Sequence, residues 1–201
     1  MITPVVRIFQ NDIIPAVKAD VLATIQANQL AAENARRAAD DKPALTESRI
    51  KTINYLPAYI QEVMLTIEQN EQSDNYADKN YPLVMLVEDQ EVHGSNGYAG
   101  DWSGTIAICW PTEKDYKWDD RYTMSFEPVL YPIYESLIEQ IWRHPMFVIP
   151  GGWEGVKFLK ADKPYWGAGA FKDGEGNVFK DPVDTLLISN LKFSLNNKST
   201  N

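Results

Sequence analysis

YPLVMLVED (Tyr81–Asp89), TIAICWPT (Thr105–Thr112) and DRYTMSFEPVLYPIYESLIEQIW (Asp120–Trp142) decide the fold of this chain. Tyr81–Glu88 is apolar enough for a strand buried on both faces, and Thr105–Trp110 is a second strand stopped by Pro111. Gly94, Gly97, Gly100 and Asn96 make Asp89–Ser103 a loop by composition, so the two strands read as an antiparallel pair with a long tip. Asp119 or Asp120 starts the helix that follows. In it Tyr122, Phe126, Leu130, Ile133, Leu137 and Ile141 form a stripe at helical spacing, facing a sheet. This helix holds two prolines, Pro128 and Pro132. An interior proline removes a backbone donor and strikes the carbonyl four residues back, a cost of ~3 kcal/mol or more. The pair predicts a kink or a split near Glu127–Tyr131. His144-Pro145 closes the helix.

Working outward, residues 1–10 read as a short apolar arm. Asp12 is a helix cap with Pro15 in the first turn, and Ile14, Val17, Val21 and Ile25 follow at helical spacing. Gln26–Asp41 favours helix by propensity but has no wide apolar stripe. It fits a solvated helix, a projecting arm or a segment ordered by a partner, and Pro43 ends it. Asn54 caps a further predicted helix, with Pro57 in its first turn and Leu56, Ile60, Val63 and Ile67 on its buried face. Beyond Pro150 the chain turns rich in glycine and aromatic residues, with Val156–Leu159 and Asn177–Phe179 as short strands and Asp173–Asn177 as a turn. Asp184–Leu195 closes the fold as a strand. Its second half alternates, with Leu191, Phe193 and Leu195 on one face, which we read as a half-exposed edge.

The expected fold is therefore α+β: a small, mostly antiparallel sheet packed by two or three helices. One domain spans residues 1–201. It divides into an N-terminal arm and helix (1–45), a helix–strand–strand–helix core (50–149), a loop-rich insertion (150–183) and the C-terminal strand (184–195).

Composition narrows the function. With 201 residues and 44% hydrophobic content, a sizeable core is available. No apolar run approaches the ~20 residues that span a bilayer, and the first residues do not have the form of a signal peptide. The single cysteine, Cys109, lies in an apolar strand and reads as a buried thiol in a reducing compartment. A net charge of −9 without a Lys/Arg cluster argues against gripping nucleic acid by its phosphates. It suits solubility, or a wall that DNA slides past.

Catalytic motifs are absent from the sequence. It has no HExxH, CxxC, GxSxG or phosphate-binding loop. His144 reads as a helix-end histidine, His93 as a loop residue, and Asp119-Asp120 as first-turn acids. KDGEGNVF at 172–179 lacks the calcium-loop pattern. We expect no catalytic residue, metal or cofactor. Trp102, Trp110, Trp118, Trp153 and Trp166 fall in or beside loops, where they close a core, anchor a subunit interface or stack on sugars. Trp153, Tyr165, Trp166, Leu191, Phe193 and Leu195 are the interface candidates.

The strands YPLVML and TIAIxWPT and the helix RYxxxFxPVLYPIYExxIxxI resemble the neck and tail-completion (tail-terminator-like) proteins of tailed phages, Bacteroidota-infecting and crAss-like phages among them. The likeness runs from Ile50 to Leu195 and rests most on Arg121, Tyr122, Phe126, Pro128, Leu130, Tyr131, Pro132 and Tyr134. The Ala/Arg-rich stretch before Pro43 and the Trp/Gly-rich region after Pro150 depart from the family pattern. The resemblance implies a structural virion protein made in the host cytoplasm. It would form a six- or twelvefold ring, join portal, neighbouring neck rings or tail proteins, pair edge strands between copies, and let DNA pass through its lumen without specific binding. A carbohydrate-binding or adhesin-like module is the alternative.

Overall fold

The computed structural model describes residues 4–58, 80–93, 100–113, 115–148, 158–166 and 183–195, with the backbone alone at 58, 88–93, 100, 165 and 166. The fold is α+β. A helical rod comprises α1 (Pro4–Ile8), a π segment (Phe9–Ile13) and α2 (Ile14–Ala39). A second comprises α3 (Trp118–Arg121), a π segment (Tyr122–Leu130) and α4 (Tyr131–Arg143). The strands are β1 (Asn54–Ala58), β2 (Leu83–His93), β3 (Gly100–Pro111), β4 (Phe147–Val148), β5 (Leu159–Trp166) and β6 (Val183–Leu195). Their order is β1-β2-β3-β6-β4, with β5 also on β6. The sheet is mixed, because β1 runs parallel to β2 while the other pairs are antiparallel.

Both rods solve the proline problem in the same way. Ile14 donates its N–H to the carbonyl of Phe9, and Tyr131 donates to Phe126, each five residues back. The next residue in each case is proline, Pro15 and Pro132. The wide turn moves the carbonyl four residues back away from the ring, so the rod continues through the proline. The second rod is therefore widened over Tyr122–Leu130, with Pro128 inside the wide segment, and is not split. Its start is also fixed: Asp120 accepts the N–H of Lys117 at 3.0 Å.

Widening changes which residues share a face. Tyr122 and Tyr131 are nine residues apart, about two and a half turns of an α-helix, which would set them on opposite sides. Their ring centroids lie 5.9 Å apart. Phe126, Leu130, Ile133, Leu137 and Ile141 face the core as the spacing predicts, whereas Tyr122 is 39% exposed.

The sheet is strongly curled. Phe9 stacks on Tyr55 of β1 at 6.3 Å and meets Phe147 of β4 at 6.2 Å. Four strand spacings would separate those strands by roughly 19 Å in a flat sheet. The sheet thus wraps the first rod, and the aromatic chain continues through Phe193 to Trp102. Val5, Phe9 and Ile13 are core residues, not an arm, and the helix begins before Asp12. Trp102 needs Gly104: a Cβ there would fall 2.3 Å from the indole. Paired residues Leu83, Cys109 and Thr185 lie on the opposite face and are buried as well.

Four expectations are corrected. Asn54–Ala58, including Leu56 and Pro57, is strand and not the first turn of a helix; the rest of that predicted helix lies outside the described residues. Asp89–His93 and Gly100–Ser103 belong to strands and not to the expected loop, whose residues 94–99 lie outside the described residues. The strand that carries Leu191, Phe193 and Leu195 is not an edge strand as a whole: β6 pairs β3 along its length, β5 between Val183 and Ser189 and β4 at Ser194 and Leu195, and among the described residues Leu191 and Phe193 have a neighbouring strand on the β3 side only. Their alternation reports burial of one face. It begins after Asn190, whose φ of 57° marks an extra β6 residue against β3. Val156–Leu159 overlaps β5 only at Leu159, with 156–157 outside the described residues. Asn177–Phe179 and the turn Asp173–Asn177 lie outside them too.

Gln26–Ala39 is helix, and its polar side chains hold the returning chain. Asn34 Oδ1 accepts from the Leu45 N–H at 2.7 Å, and Asn34 Nδ2 donates to the Leu45 carbonyl at 3.1 Å. Gln26 donates to the Ile50 carbonyl at 2.9 Å, and Ser48 donates to Gln29 at 2.6 Å.

Two outcomes are expected. Phe126, 1% exposed, will cost about 3–5 kcal/mol when changed to alanine, measured by urea unfolding. The Cys109 thiol, pushed up to about 12 by burial, stays protonated at neutral pH and will react with a thiol reagent only after denaturation.

Candidate interaction surface

The start of the second rod is fixed by a buried ion pair. Arg121 Nη1 lies 2.9 Å from Asp184 Oδ1 at the head of β6, with side-chain exposures of 3% and 0%. The same nitrogen donates to Thr112 Oγ1 at 3.0 Å, and Nη2 donates to the Glu113 carbonyl at 3.1 Å. One guanidinium therefore joins α3, the end of β3 and the start of β6. A paired arrangement is what lets charge sit in the interior. Asp184, a lone carboxylate in the apolar run VDTLLIS, was the sequence signal for such a partner.

Beside this anchor lies an exposed aromatic strip. Trp118 is 53% exposed and precedes Tyr122 by four residues, so both rings project from one side of the rod. Trp118 leans on Phe126 at 6.1 Å, and Tyr122 meets Tyr131 edge-on. The strip runs on to β5, where Tyr131 Oη donates to Asp162 at 2.7 Å. Lys160 Nζ sits 4.3 Å from the Tyr131 ring centroid, 5.4 Å from that of Tyr134 and 3.1 Å from Asp162 Oδ1. Burial, followed by the Asp162 carboxylate, pushes the Tyr131 hydroxyl well above its ordinary value. Exposed Trp and Tyr are the residue types that anchor protein contacts.

A second cation is held alike. Arg36 forks onto both Glu113 oxygens at 3.1 and 3.2 Å, while its guanidinium lies 4.8 Å from the Tyr116 ring centroid. The hydrogen bond from Arg36 holds the Glu113 carboxyl below its usual range.

Of the motif residues, Arg121, Phe126 and Pro128 are buried, Tyr131 and Pro132 are half-buried, and Tyr122 is exposed. Leu191, Phe193 and Leu195 are 2%, 1% and 6% exposed, so they belong to the core of one subunit and cannot serve as its outer contact. Trp153 lies outside the described residues, and Tyr165 and Trp166 are described only as backbone on β5. Trp102 and Trp110 lie on β3 at 1% and 2% exposure, in the core and not in loops. Trp118, which the interface candidates omitted, is the exposed indole among the described residues.

Ionisable candidates do not converge. Asp119 and Asp120 lie exposed at the start of the second rod, and His144 caps its far end. His144 Nε2 is 3.6 Å from Asp12, and its Nδ1 accepts the Met146 N–H at 3.3 Å. His93 is on β2 and not in the loop. Among the described residues no group of three His, Cys, Asp or Glu is placed to hold a metal ion, and no helix is long and apolar enough to cross a membrane.

Compared with protein-family models, curated proteins and solved structures, the chain matches none.

Changing Asp184 to alanine strands the buried guanidinium and will cost about 3–5 kcal/mol. The double change Arg121→Met with Asp184→Leu will cost less than that single change. A urea-unfolding double-mutant cycle measures both.

Proposed function

We propose that this chain is a structural ring subunit of a tailed-phage neck or tail, joining head to tail or completing the tail, with DNA passing through the lumen. The observation that carries this reading is the proline-bearing rod from Trp118 to Arg143. Its residues Arg121, Phe126 and Pro128, which bear the resemblance, serve to lay the rod across the sheet. The Arg121–Asp184 pair spends buried charge on architecture. The separation of Asp119 and Asp120 from His144 along the rod supports the same reading, since general acid–base chemistry needs such groups within reach of one substrate.

In this reading the subunits form a six- or twelvefold ring through heterologous contacts, which close when the rotation closes. Portal, neighbouring neck rings or tail proteins are the partners, and assembly takes place in the host cytoplasm on the way to the virion. Two of the described outer strands are defended against strand addition: β1 carries Pro57, and β5 carries Lys160, Lys163 and Pro164. Copies therefore meet through side-chain surfaces and not by extending the sheet at β1 or β5, which revises the expectation of edge pairing.

Light scattering and negative-stain microscopy of the purified chain are expected to give a discrete ring, or a monomer that joins purified portal–tail complexes. A monomer at every concentration that binds neither complex would overturn the proposal.

A further inference from the structure

We infer that the Trp118–Tyr122 strip docks an arginine- or lysine-bearing segment of a different protein. The chain holds two of its own cations with one device, an aromatic ring on one side and a carboxylate on the other. Arg36 has Tyr116 and Glu113, and Lys160 has Tyr131 and Asp162. Trp118 and Tyr122 carry the same ingredients at the start of the second rod. Asp115, Asp119 and Asp120 stand within three residues of Trp118 and are exposed; of the described cations there, Lys117 is exposed and Arg121 is buried against Asp184. Among the described residues, no cation lies over either ring. A cation over Trp is the strongest of these pairings, and desolvation on docking strengthens it.

The charge balance selects the occupant. Each copy carries −9, so a cationic partner is drawn to this face by a long-range attraction that a second copy lacks. Asp115, Asp119 and Asp120 beside the two rings form an acidic rim, and a cationic segment of another protein fits that rim and the apolar rings together. This inference does not depend on ring formation.

The test titrates the full chain with a capped hexa-arginine peptide and, as a neutral match, a hexa-citrulline peptide. The readout is the Trp118 indole N–H resonance, assigned by Trp118→Phe. The arginine peptide is expected to shift it and to bind at least fivefold tighter than the citrulline peptide, with affinity falling as salt rises. Trp118→Ala and Asp119→Asn, with circular dichroism unchanged, are each expected to weaken binding at least fivefold. Equal response to the two peptides, or undiminished binding in both variants, overturns the inference. So does loss of self-association in Trp118→Ala by sedimentation, which would assign the strip to a second copy. A Trp118 shift with maltohexaose and not with arginine would assign it to a glycan and overturn it as well.

Discussion

Two missing amide hydrogens organise the helical layer. Pro15 and Pro132 each lack the donor that would continue an α-helix, and each follows a residue whose own N–H reaches five residues back. The two rods stay continuous at the cost of a local change in pitch. In the second rod that change decides what is seen from outside. Phe126 and Leu130 remain inward, Tyr122 turns outward, and Tyr131 comes beside it. The exposed strip is therefore a product of the backbone as much as of the residue types. An α-helix of the same sequence would scatter those rings around its circumference.

Charge and polarity are spent on joining segments distant in sequence. Arg121 gathers the end of β3 and the head of β6 under the second rod. Arg36 ties the end of the first rod to the connector after β3 through Glu113 and Tyr116. Ser136 donates to Asp20 at 2.6 Å where the two rods touch. Asn34 imitates a backbone unit toward Leu45, donating and accepting as a neighbouring strand would. These bonds explain why the stretch after Ile25 needs no apolar stripe. Its helix is held along its length by its own returning chain.

Much of the layering was legible in the sequence. Apolar runs gave β2 and β3 and their antiparallel pairing, the helical stripe gave the buried side of the second rod, and the last strand lay where its composition put it. The failures share one cause: local pattern describes the environment of a residue, not its neighbour. Alternation through Leu191, Phe193 and Leu195 was real, but one-sided burial occurs on inner strands too. Asn54 and Pro57 are good helix-start residues, yet five residues there pair with β2 in parallel, a tertiary choice that overrides propensity. Tyr122 was placed on the wrong side because 3.6 residues per turn was assumed through a segment that does not keep it. The Arg121–Asp184 pair needed a contact across 63 residues of sequence and the Tyr131–Asp162 bond of the strip one across 31, which spacing cannot supply.

Phe9 touches β1 and β4, the two margins of a sheet whose last strand ends at Leu195. During synthesis this ring is made long before Phe147 and Phe193 exist. The strands that complete the cradle of the first rod therefore come last in the chain. Final closure is then a late, nearly all-or-none event dominated by contacts remote in sequence, the regime in which chains fold slowly.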